Sequence, residues 1–192
     1  VSATAGGSAI TLTTDGAGTL LPYKQALVTV TMQGGQTFTS LALDVKHNAA
    51  NLNAYCNGWL DIAVAGSSIT SLIFSGSAAF SGRLEKVNVV SVGSIYAAAN
   101  MFNSCYSLTS VPLFNLAACT NASGMFSSCY SLTSVPLFDF SACTNTSSMF
   151  YDCYSLTSVP LFDFSACTNA NSMFSSCHSL TSVPLFDFSG CT

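Results

Sequence analysis

Charge is what this sequence has least of. Asp, Glu, Lys and Arg together make up 6% of its 192 residues, where ordinary soluble domains carry roughly a quarter. Its surface must be built from Ser, Thr, Asn and Gly, which suits a particle-bound or extracellular setting better than the cytosol. Cations are scarcer still: Lys24, Lys46, Arg83 and Lys86 are all there are, and residues 87–192 carry Asp139, Asp152, Asp163 and Asp187 with no Lys or Arg. Nucleic acid is thereby excluded as a partner of that half, because phosphate contacts rest on basic side chains. Long apolar runs are missing too. No stretch approaches ~18 consecutive apolar residues, so no insertion into a membrane is expected. The sequence has no G-x-S-x-G, P-loop or H-E-x-x-H, and its cysteines never form the C-x-x-C pairs of zinc sites. No cofactor is expected. With hydrophobic residues at 49%, disorder is excluded as well.

What the sequence does have is repetition. "CYSLTSVPLFDFSACTN" begins at Cys129 and again, letter for letter, at Cys153, with variants from Cys105 and Cys177. The period is 24 residues: Met101, Met125, Met149 and Met173 keep step, each followed by Phe. So do Leu108, Leu132, Leu156 and Leu180, then Val111, Val135, Val159 and Val183. A fixed period of this size is the signature of a solenoid, each coil being one short strand and a return segment. Equivalent residues of neighbouring coils then lie about 4.8 Å apart in continuous columns. Leu108, Val111 and Leu113 are expected to face inward, with the Met-Phe pairs and the column Leu116, Phe140, Phe164 and Phe188 filling the return side. Pro112, Pro136, Pro160 and Pro184 remove one ladder donor per coil, so the ordered sheet should be narrow.

The stretch "SLTSVPLFDFSACTNANSMFSSC" (residues 155–177) carries L-T-x-V, a D-x-S turn and T-N-x-x-x-M-F-x-x-C. It resembles the BspA-type leucine-rich repeats of bacterial surface proteins. The "SVPLFD" wording is also similar to repeats in bacteriophage tail-fibre and other virion surface proteins. The likeness covers residues 101–192, and 77–100 more weakly. It implies a mainly β, right-handed leucine-rich-repeat solenoid displayed outside a cell and used for attachment. The sequence departs from the family at Cys119, Cys143, Cys167 and Cys191, where such repeats often carry an aliphatic residue.

Two compositional columns have competing readings. The cysteines of the repeats are either buried reduced thiols or links between coils; parallel side chains in one column point the same way, which favours thiols in the core. Asp139, Asp163 and Asp187, with Asn115 in the first copy, are either a calcium ladder or turn formers. One carboxylate per coil is thin for an ion that takes roughly 6 to 8 oxygens, so turn formation is the preferred reading. Cys177-His178 is not read as a nucleophile and base, because His178 only varies a tyrosine column, Tyr106, Tyr130 and Tyr154.

That column is the first candidate for binding. Phe114, Phe138, Phe162 and Phe186 are the second: strand alternation turns them outward, while a corner would turn them onto the Met-Phe core. The copies differ most at residues 103–104 and 122–124 and their counterparts, the expected outward loops.

Residues 1–76 read as a β-rich anchor or cap, with "ALVTVTM" alternating and "SITSLIF" and "TFTSLAL" echoing the repeat as entry coils or as strands of something else. Residues 77–192 read as the solenoid: a degenerate coil at 77–100, then 101–124, 125–148, 149–172 and 173–192. Beyond Thr192 either more chain or a covering partner is expected. The leading functional reading is a non-enzymatic structural and adhesion protein on a phage virion, a fibre or decoration protein. The second is a bacterial cell-surface adhesin of the same repeat family. A third is an enzyme whose site lies within residues 1–76, where Asp15, Asp44, Asp61 and His47 are its acid–base material. The expected partners are a host-surface protein or glycan, further copies of the chain, or other virion or surface proteins, at a virion or extracellular surface.

Overall fold

The computed structural model describes six strand segments together with residues 69–75 and 84–191. The segments are β1 (Ser2–Thr4), β2 (Thr29–Thr31), β3 (Ser40–Ala42), β4 (Asp61–Gly66), β5 (Ser71–Ile73) and β6 (Lys86–Val92). The chain forms two compact units, Val1–Phe38 and Thr39–Thr192. In the first, β1 and β2 pair in parallel with Ser2 opposite Thr29, and β2 lies within "ALVTVTM".

The second unit winds. Its strands alternate between two parallel pairs in chain order, β3 with β5 and β4 with β6. Each new strand therefore lands beside the one two elements earlier. Partners lie 31 residues apart at Ser40 and Ser71, 25 apart at Asp61 and Lys86, and then settle to 24 at Lys86 and Ser110. One pair continues along single parallel bridges from Ala97 to Asn121, Asn145 and Asn169. The other continues as Thr109, Thr133 and Thr157, each N–H donating to the carbonyl one coil back. The unit is thus a stack of strand-and-turn repeats, without a helix among the described residues.

One open reading is resolved here and one boundary differs. Stacking starts upstream of residue 77, because β3 in "TFTSLAL" and β5 in "SITSLIF" are entry coils paired to each other. The unit boundary accordingly falls at Phe38 and Thr39 rather than at 76 and 77.

The prolines explain where the strands stop. In β4 and β6 the positions in register with Pro112 are Ala63 and Asn88, and pairing there runs from Asp61 to Gly66 against Lys86 to Val92. Once proline enters at 112, 136 and 160, only an isolated bridge survives on that side, as the loss of a donor dictates.

Opposite lies the Met-Phe segment, a run of tight turns. Asn100, Gly124, Ser148 and Ser172 hold φ of 53 to 59°, and Ser104, Ser128, Asp152 and Ser176 hold 58 to 62°. These left-handed residues direct alternate N–H groups along the stack, so Phe102, Phe126 and Phe150 donate to the carbonyls of Met125, Met149 and Met173 at 2.8 to 2.9 Å. Their rings stack almost parallel, with centroids 5.0 to 5.5 Å apart from Phe74 through Phe102, Phe126 and Phe150 to Phe174.

Around this spine Leu108, Leu132, Leu156, Met101, Met125, Met149, Cys119, Cys143 and Cys167 are fully buried, and Val111, Val135 and Val159 nearly so. Each is worth roughly 1.5 to 3 kcal/mol when an apolar side chain of this size is removed from water. In the last described coil Leu180 and Cys191 are half-buried and Val183 is 47% exposed, because described residues cover it on one side only.

Candidate functional site

The tyrosine column is where the sequence reading puts it. Tyr106, Tyr130 and Tyr154 stack at centroid distances of 4.6 and 4.8 Å, and His178 adds a fourth ring 5.3 Å from Tyr154. The local cause is the left-handed residue two positions earlier. It reverses the chain so that Tyr154 N–H donates to the Asp152 carbonyl and His178 N–H to that of Ser176. The intervening cysteine turns inward and the ring turns out. Tyr106 and Tyr130 are half-buried, Tyr154 and His178 exposed. Burial against its neighbours and the nearby Asp152 carboxylate push the Tyr154 phenol above its ordinary value. Face-to-face stacking covers the rings' faces, so the ladder presents edges and hydroxyls.

The phenylalanine column follows the inward of its two readings, which removes it as a binding ladder, and the correction falls on Leu113, Leu137 and Leu161, expected inward. Phe114, Phe138 and Phe162 are buried, at 7%, 2% and 2% exposure, while Leu113, Leu137 and Leu161 stand 60 to 62% exposed. The expected phase is inverted, and proline is the reason. Phe138 N–H donates to the Pro136 carbonyl at 2.9 Å, and Phe162 N–H to that of Pro160 at 3.0 Å. An i to i+2 bond of this kind is a three-residue turn. It puts the central leucine at the apex and returns the next residue to the core, against Phe126, Phe140 and Phe164. Phe186 is half-buried in the last described coil. Ala122, Gly124 and Thr146 are likewise buried, whereas Ser123, Ser147 and Ser148 are half-buried and Asn171 and Ser172 exposed, so residues 122–124 and their counterparts face outward only in part. The Thr146 hydroxyl is satisfied there by the Asn169 carbonyl and the Cys167 sulfur.

Beyond the turn the alternation is regular: Leu137, Asp139 and Ser141 out, Phe138 and Phe140 in. The aspartates act as turn formers. Asp139 Oδ1 accepts the Ser141 N–H at 3.0 Å and its hydroxyl at 2.6 Å, and Asp163 treats Ser165 alike. The Ser141 and Ser165 hydroxyls, then the N–H groups, hold both carboxyls below the ordinary range. Among the described residues no three His, Cys, Asp or Glu side chains gather as a metal site.

All eight repeat cysteines are free thiols. Cys105, Cys129, Cys153 and Cys177 point back into the preceding coil and donate S–H to the carbonyls of Phe74, Phe102, Phe126 and Phe150 at 3.0 to 3.5 Å. The carbonyls of Phe102, Phe126 and Phe150, which already accept the N–H groups of Cys105, Cys129 and Cys153, thus gain a second donor from a side chain small enough for the core. Ile95 fills the place of Cys119 one coil upstream, fully buried, which marks that column as packing. Cys177 and His178 diverge, the thiol toward Phe150 and the ring onto Tyr154. No helix among the described residues is long and apolar enough to cross a membrane.

Parallel stacking, a 24-residue period and an uninterrupted aromatic spine define a repeat protein. Residues 68–184 match the family described as "Mycoplasma protein of unknown function, DUF285", and the chain belongs to that family. No curated protein matches. A leucine-rich repeat protein from Eubacterium ventriosum ATCC 27560, solved by crystallography, is similar at 19% identity, with a TM-score of 0.46 over 66% of this chain and 39% of that one. The chain therefore spans well under half of that protein's length.

Proposed function

We propose that this is a non-enzymatic, surface-displayed attachment protein of the BspA type. Its repeats continue as a right-handed leucine-rich-repeat solenoid and offer the ladder of Tyr106, Tyr130, Tyr154 and His178 to a host-surface protein or glycan. The ladder carries the reading: four aromatic side chains, one per coil, held in register at 4.6 to 5.3 Å and open to solvent at one end. Aromatic rows at a surface favour recognition, because they add contact area at little entropic cost. With their faces covered, these rings recognise through edges and hydroxyls, which suits hydrogen-bonding groups of a polypeptide or sugar better than a sugar laid flat on a ring. A bacterial cell surface is preferred to a virion, since the family's description names Mycoplasma.

The test is attachment to immobilised host-surface protein and glycan. Tyr130→Ser with Tyr154→Ser should abolish attachment and leave the fold intact by circular dichroism. Undiminished attachment of the folded double variant would overturn the reading. Pretreating the surface with protease or with glycosidase identifies the class of ligand.

A further inference from the structure

Leu113, Leu137 and Leu161 form an exposed ridge, one leucine per coil, at 60 to 62% exposure, and the fold makes no use of them. Two residues further on, and on the same face, runs the acidic column of Asp139 and Asp163, extended by Asp187. The geometry points to a docking surface for an amphipathic helix whose apolar stripe is bordered on one side by Lys or Arg, lying along the stack.

Three observations select this occupant. Neighbouring leucines in such a column are one strand spacing apart, about 4.8 Å. Apolar residues at every third or fourth position of a helix advance about 5 Å, so each helix side chain seats between two leucines. The acidic column lies about 7 Å to one side, two residues along an extended chain. A lysine or arginine flanking the stripe reaches that distance. Charge decides the border's sign: Asp139 and Asp163 repel one another, as do Asp163 and Asp187, and residues 87–192 supply no Lys or Arg to neutralise them.

The same charges disfavour other occupants. A second copy running antiparallel along the ridge would bring acidic column against acidic column. An anionic lipid surface would be repelled. The surface is independent of the tyrosine ladder, so either can fail alone.

The test uses the full chain and a fluorescent helical peptide of about 18 residues, with leucine at alternating third and fourth positions and lysine along one border. Saturable binding is expected by anisotropy, weakened about tenfold or more by Leu137→Ser with Leu161→Ser. The variant's thermal midpoint should be unchanged. Asp139→Asn with Asp163→Asn should weaken binding and flatten its salt dependence. That change keeps the turn, because Asn115 Oδ1 already accepts the Ala117 N–H at 3.0 Å in the first copy. A peptide with glutamate in place of lysine should not bind. No saturable binding, equal binding by the leucine variant, or equal binding of the glutamate peptide would overturn the proposal. So would a dimer, seen by sedimentation, that dissociates on Leu137→Ser with Leu161→Ser.

Discussion

Cys129 shows what a single residue does in this stack. Its thiol donates to the Phe102 carbonyl at 3.2 Å inside a fully closed interior. Burial pushes Cys105 from an ordinary 9.0 to about 12 and pushes Cys129 up as well. A thiol whose folded pKa is raised keeps its proton longer folded than unfolded. Its contribution is whole below 9.0 and is lost progressively as pH climbs toward about 12. Denaturant titrations should show a stability that falls above about pH 9, and Cys105→Ala should reduce the steepness of that fall. A stability indifferent to pH through this window would contradict the account. At this scale the sequence was partly legible. Asp139 as a turn former and Tyr130 as an outward ring follow from residue type and register. The donor role of the Cys129 thiol was not legible, because nothing in a repeat shows that the Phe102 carbonyl, which already accepts the Cys105 N–H, takes a second donor from the next coil.

Elements are governed by proline. Strand alternation places Leu137 inward and Phe138 outward, and Pro136 breaks that phase by closing a three-residue turn over Leu137. Pattern reading fails here for a physical reason: periodicity assumes a constant twist per residue, and an i to i+2 bond removes one step. Leu137→Ala should change stability by less than about 0.5 kcal/mol, as exposed positions do. Phe138→Ala, next to it, should cost about 3 to 5 kcal/mol by opening a cavity beside Phe126 and Phe140. Equilibrium unfolding of the two variants decides the matter, and a leucine variant as damaging as the phenylalanine one would restore the alternating strand. Narrow pairing after residue 110, in contrast, was foreseeable from the prolines alone.

For the whole molecule, the 24-residue repeat was legible because like residues recur at a fixed interval, and burying them requires that they stack. The upstream coils were obscured by irregular spacing. Phe74 and Phe102 belong to one ring column, stacked at 5.0 Å, yet lie 28 residues apart. An insertion hides such a partner from any fixed-period comparison. The stacking itself is tested most directly by a ring-to-ring nuclear Overhauser effect at His178. In a His47→Gln background His178 is the sole histidine of the chain, so its signals are unambiguous. The account predicts a cross-peak to a tyrosine ring that vanishes in Tyr154→Ala and persists in Tyr130→Ala. Absence of the cross-peak, or its survival in Tyr154→Ala, would mean that residues 24 apart do not lie over one another.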